Sequence, residues 1–226
     1  MRLRLTSLLG IVGLAMGLLV APVGATTVID FSTGNAGYGG IVSLFSDGNL
    51  SGADIPVGTV TIVGAPQNNG TYGVSGPANS SYGGFVGSLN FSTGGLAGTN
   101  VIGIVGSIVG LDLTTTELLL TGTISSYSSP NASYGLVAAV GLDSKAADLL
   151  NAIGLDPATQ FEYFAFSIST GFLNLPTAGQ GPSTSSAIST DIRNTERVPE
   201  PSSLVLVATG IVALGALRRY RRVASA

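Results

Sequence analysis

The chain has 226 residues, 45% of them hydrophobic and only 9% charged, with 33 Gly, 10 Pro and no Cys, Trp or His. Those absences exclude a Ser-His-Asp triad, a cysteine nucleophile, an imidazole proton shuttle, a zinc site of the usual nitrogen or sulfur type and a disulfide framework. Six of the nine basic residues lie at the two ends, so the stretch between them keeps Lys145, Arg193 and Arg197 against 11 carboxylates, a net charge of −8 that argues against nucleic acid or an anionic membrane surface as partner.

Residues 1–25 read as a secretory signal peptide. Arg2 and Arg4 supply the positive start, Leu5 to Val20 the apolar run, and Val23 and Ala25 the small residues before a cleavage site, so a cut after Ala25 leaves Thr26 as the first residue. Export through a Sec-type translocon follows from that pattern.

From Thr26 to about residue 175 short apolar and β-branched runs alternate with Gly, Asn, Ser and Pro clusters. This spacing predicts an all-β domain, a single antiparallel β-sandwich or jelly-roll-like fold with one short helix. The expected strands are TTVIDF, GIVSLFS, VGTVTIVG, YGGFVGSLNFS, NVIGIVGSIV, ELLLTGTISSY, YGLVAAVGL and FEYFAFSIS. Asp47-Gly48, Asn69-Gly70 and Ser75-Gly76-Pro77 supply turn chemistry between them, and glycines inside the runs predict bulges. Tyr38-Gly39-Gly40 resembles Tyr82-Gly83-Gly84, but with no shared period the pair does not make a repeat architecture. Residues 143–154 carry Ala146, Leu149, Leu150 and Ile153 at helical spacing, with Asp143 or Ser144 as the cap and Gly154 as the stop. Residues 176–197, small and polar, read as a flexible linker.

The end of the chain carries Val198-Pro199-Glu200-Pro201, an apolar run from Leu204 to Leu217, and Arg218, Arg219, Arg221 and Arg222. Fourteen residues of helix span about 21 Å against roughly 30 Å of hydrocarbon, a short membrane segment oriented by the cationic end staying inside. This order of a proline-bracketed glutamate, an apolar helix and an arginine cluster resembles the PEP-CTERM sorting signal of exosortase substrates in bacteria with a Gram-negative-type envelope. The resemblance covers about the last thirty residues. It implies that an exosortase processes the chain near Val198, Pro199, Glu200 and Pro201 after transient insertion in the inner membrane. It further implies delivery to the cell surface or to an exopolysaccharide matrix.

Within the β domain the chemistry is sparse. Asp47, Asn49, Ser51 and Asp54 place oxygens as the first half of a calcium loop does, but Gly58 stands where a bidentate Glu is needed, and no metal site is assigned. Asp112 with Glu117, and Glu162, are the carboxylates best placed for glycoside chemistry, though nothing marks a pair and no Trp is present to stack a sugar. The N-x-S/T triplets at Asn49, Asn69, Asn79, Asn90 and Asn131 follow from the composition of so Asn- and Ser-rich a chain. The expected function is non-catalytic: an exported structural protein of the surface or biofilm matrix, with no cofactor. A carbohydrate- or calcium-binding surface module is the second expectation.

Overall fold

Ile29 and Phe31 are buried while Val28, Asp30 and Ser32 face partly outward, the two-residue period of a strand with one face in a core. The computed structural model describes residues 26–128, 135–171 and 173–196. Its strands are β1 (Val28–Ser32), β2 (Gly39–Leu44), β3 (Leu50–Val57), β4 (Thr59–Val63), β5 (Gly70–Gly73), β6 (Ala78–Asn79), β7 (Phe85–Thr93), β8 (Asn100–Ile108), β9 (Leu113–Ser128), β10 (Gly135–Lys145), β11 (Phe161–Thr170) and β12 (Ser183–Glu196), with one helix, α1 (Ala147–Ala152). Each of the eight runs expected from the sequence overlaps one of these strands, with ends that differ by up to a few residues.

All strand pairs are antiparallel, and eight of them form a circuit: β12 to β2, β3, β7, β8, β9, β10, β11 and back to β12. The domain is therefore all-β as expected, but the sandwich of two facing sheets is replaced by one sheet closed on itself. The reason is β12. Its Ala187 stands opposite Gly39 of β2 on one edge and Thr170 of β11 on the other. Closure removes the exposed edges that an open sheet would offer to other chains.

β1 and β2 run end to end along the same edge of β12, Val28–Ser32 opposite residues 195–191 and Gly39–Leu44 opposite residues 187–183. β4 and β5 continue outward from β1 as a flap. Where the flap parts from the circuit, Gly40 has φ 66°, and a Cβ there would stand 2.7 Å from the carbonyl oxygens of Ala53 and Asp54, so only glycine fits the corner. Register shifts in several ladders, among them Gly141/Asp143 and Gly52/Ile55, are the bulges that the glycine-rich strands predict.

The interior is filled. Phe31, Phe166, Leu44, Leu50, Ile55, Leu89, Ile104 and Ile108 are essentially fully buried, and Phe91 meets Phe166 edge to face with ring centroids 5.1 Å apart.

Two further expectations are corrected. Residues 183–196, read as part of a linker, form the closing strand, because a Ser/Thr-rich strand needs few apolar side chains when only Ala187, Thr190, Ile192 and Asn194 must face inward. The helix is also shorter than residues 143–154: Asp143–Lys145 end β10, Ala146 stands at the cap without a side-chain hydrogen bond, and α1 begins at Ala147. The ladder outcompetes the helix there because Asp143 and Lys145 alternate inward and pair with each other. Leu149, Leu150 and Ile153 are buried as expected, and Gly154 ends the helix with φ 79°. The signal peptide with its cleavage position Ala25, and the membrane segment 204–217, lie outside the described residues; among these, no helix is long and apolar enough to cross a membrane.

Candidate functional site

Four strands place small and polar side chains in two cross-strand rows on the outer face. Ser126 of β9, Val140 of β10, Ala165 of β11 and Arg193 of β12 stand side by side, and Arg193 then meets Asp30 of β1. In the next row Ser167 stands opposite Asp191, and Asp191 opposite Ser32. These rows line a cavity of about 500 Å³ with Asp191 and Arg193 on its wall, within the usual range for small-molecule sites.

The carboxyl of Asp30 is raised from the ordinary 3.8 to about 7, first by burial, then by its hydrogen bond to Asp191 and by the charge of Asp191, while Arg193 pulls it down. Burial and the neighbouring Asp191 thus favour the protonated form of Asp30. Among the described residues the only cationic side chains are Arg193 and Lys145; Lys145 is buried against Asp143, and Arg193 forms no ion pair there. The solvent-facing cation of an acidic barrel thus lines its cavity.

The raised Asp30 has a stability consequence whose sign is definite. A carboxyl with a folded pKa of about 7 against 3.8 unfolded contributes stability that is fully present below pH 3.8 and lost as pH rises through 7. The melting temperature should fall between about pH 4 and 7, and Asp30→Asn should flatten that slope, as thermal melts across the range will show.

Neither Asp30, Asp191 nor Arg193 stands out in the sequence, and the latter two lie in the stretch that reads as a linker. The cross-strand register of β1, β11 and β12 assembles them, and the sequence signal for it is only the alternation of residues 190–194.

The residues that sequence chemistry does single out go elsewhere. Asp47 accepts from the Asn49 backbone at 3.0 Å, and through its other oxygen from Asn49 Nδ2 and the Leu96 backbone, both at 2.8 Å. Asn49 Oδ1 in turn accepts from Tyr127 Oη at 2.7 Å and Thr93 Oγ1 at 3.1 Å. The Leu96 N–H is the largest cause of a lowered Asp47 carboxyl. This network ties the β2–β3 turn to the β7–β8 connection and to β9, and spends on protein donors the oxygens that a calcium loop would aim at a cation.

Asp112 sits in a left-handed conformation with φ 61° before β9, and burial, then the charge of Asp148, raises Glu117. The charged neighbour of Glu117 is thus Asp148 near the start of α1, not Asp112. The Glu162 side chain lies outside the described ones. Asn69 and Asn90 brace backbone groups: Asn69 bonds Ala65 N and O, and Asn90 Oδ1 accepts from Asp54 N. The two Tyr-Gly-Gly segments come together at one corner, where a Cβ on Gly37 would stand 2.6 Å from the Tyr82 ring.

The fold and cavity define a closed antiparallel barrel with an outer groove, its last described strand ending at Glu196. Directly after it, residues 197–222 match the family model of the PEP-CTERM protein-sorting motif. The chain carries this sorting motif, which marks it for export and for exosortase processing at the membrane. The match takes in Val198, Pro199, Glu200 and Pro201 together with Arg218, Arg219, Arg221 and Arg222, all of which lie outside the described residues. No curated protein and no solved structure matches the chain.

Proposed function

We propose that the barrel is the non-catalytic, structural cargo of an exosortase pathway, finally a component of the cell surface or of the extracellular polysaccharide matrix. The observation that carries this reading is the sorting motif beginning at residue 197, one position beyond a closed domain. Exosortase is the processing partner and a Sec-type translocon the route out, with Ala25 as the last residue of the signal peptide.

The barrel suits such processing. Thr27 N donates to Glu196 Oε2 at 3.2 Å and Glu196 N to Thr27 O at 2.8 Å, so the two ends of the described domain lie side by side. A cut near Pro199-Glu200-Pro201 removes no residue from β12. The acidic charge balance of the domain favours hydration over association, as a matrix component requires.

In this reading the four arginines hold the short membrane segment in place from the inner side. Changing Arg218, Arg219, Arg221 and Arg222 together to Glu should remove that retention, because anionic residues neither stay inside nor snorkel to the headgroups as arginines do. Fractionation and intact-mass measurement are expected to show unprocessed chain from the Glu variant, and normal processing when the four are changed to Lys. Wild-type processing of the Glu variant would overturn the topological role, and a secreted chain still bearing the arginine cluster would overturn the sorting reading as a whole.

A further inference from the structure

We infer that the groove across β9–β12 binds a neutral glycan chain, with Asp191 and Arg193 as its polar clamp and Val140 and Ala165 as its floor. The inference goes beyond the sorting reading and does not depend on it, since it rests only on side chains of the barrel.

The floor comes first. Val140 and Ala165 stand opposite each other on β10 and β11, both exposed, with Ser126 beyond Val140 and Arg193 beyond Ala165. Strands about 4.8 Å apart make this row about 14 Å long, with no bulky side chain between its ends. Such a shallow apolar strip accepts the flat face of a pyranose ring, whose C–H groups need apolar contact and no hydrogen bond. It gives little purchase to a protein partner, whose anchoring aromatic side chains need deep pockets.

The walls then decide the charge of the ligand. Asp191 presents only acceptors and Arg193 only donors, two residues apart on one face of one strand. A sugar hydroxyl both donates and accepts, so a pair of neighbouring hydroxyls satisfies the two together, and Ser126, Ser128 and Ser167 line the same cavity with further hydroxyls. A polyanion fits badly. It would meet one cation against the Asp191 carboxylate on a domain whose described residues hold 11 acidic and two basic side chains. The cavity of about 500 Å³ admits a short run of sugar units.

Affinity electrophoresis of the full chain in detergent micelles tests this, with dextran, xylan and galactomannan as neutral probes and polygalacturonate as the anionic one. At least one neutral polymer should retard the protein. Arg193→Ala and Ala165→Trp should each weaken that retardation tenfold or more without lowering the melting temperature by more than a few degrees. Ala165→Trp keeps the test decisive if Arg193→Ala fails to fold, because its new side chain is added on the exposed face and fills the groove. Retardation by polygalacturonate alone, none by any neutral polymer, or retardation indifferent to Ala165→Trp would each overturn the inference. None of these outcomes bears on exosortase processing, which is read from the mass of the secreted chain.

Discussion

A fragment ending at residue 175 should be unfolded, whereas one ending at Glu196 should fold and melt cooperatively. The shorter fragment lacks β12, and with it the hydrogen-bonding partner of β1, of β2 and of one edge of β11. It loses the buried Ala187 and Ile192 and bares parts of Ile29, Phe31, Phe166 and Ile168, which line the strands on either side. At about 1.5–3 kcal/mol for each large side chain returned to water, the loss approaches or exceeds the 5–15 kcal/mol by which a domain of this size is stable. Circular dichroism and limited proteolysis of the two fragments check it, and a cooperative melt of the shorter one would show that β12 is dispensable.

The same strand sets the order of events during export. Val28 pairs with Thr195, so the first strand of the barrel waits for the last, and loop-closure entropy must be met before that contact contributes. A chain threaded from its N-terminus cannot close the circuit until residues 183–187 of β12 have emerged to pair with β2.

The eight strands legible in the sequence are those whose inward positions are apolar, such as Ile102, Ile104 and Ile108 in β8. β3 escapes that reading because LSGADIPV contains Gly52, Asp54 and Pro56, each a strand breaker by propensity. The fold places them where breaking is useful: Asp54 takes φ 52° inside the Gly52/Ile55 bulge. β12 escapes for the opposite reason. Its inward side chains include Thr190 and Asn194, which need partners that only distant segments provide. Thr190 Oγ1 donates to Ser167 O at 3.3 Å, and Asn194 Nδ2 to Ile29 O at 3.2 Å. A reading of local pattern cannot anticipate those partners, so the strand looks like a linker and its Asp191 and Arg193 look like isolated charges. The C-terminal signal is legible in full because it is read residue by residue, by composition and order, without any tertiary contact.

Breaking the buried ion pair at the end of β10 should cost more than any single surface change in the barrel. Lys145, the sole lysine of the chain, sets its Nζ 2.5 Å from Asp143 Oδ1 with both side chains 0% exposed, and 4.5 Å from the centre of the Phe161 ring. Burial lowers the ammonium to about 8 and raises the Asp143 carboxyl, so each charge is tolerated only because of the other. Removing one partner leaves an uncompensated charge in the interior, at a cost of about 3–5 kcal/mol. For a domain of this length that lowers the melting temperature by roughly 10 °C or more. Asp143→Ala and Lys145→Ala should both show this loss in thermal melts at pH 7. The double change Asp143→Leu with Lys145→Met should not, because two apolar side chains replace a pair that pays a desolvation penalty and leaves Asp143 Oδ2 without a hydrogen bond. The cycle separates the two readings of the pair: strong coupling with a stable double variant means that the charges hold each other but add little to the fold. A double variant as unstable as the singles would mean that the pair itself fixes how β10 passes into α1, where the ladder ends at Lys145 and the Ala146 N–H bonds the Leu119 carbonyl.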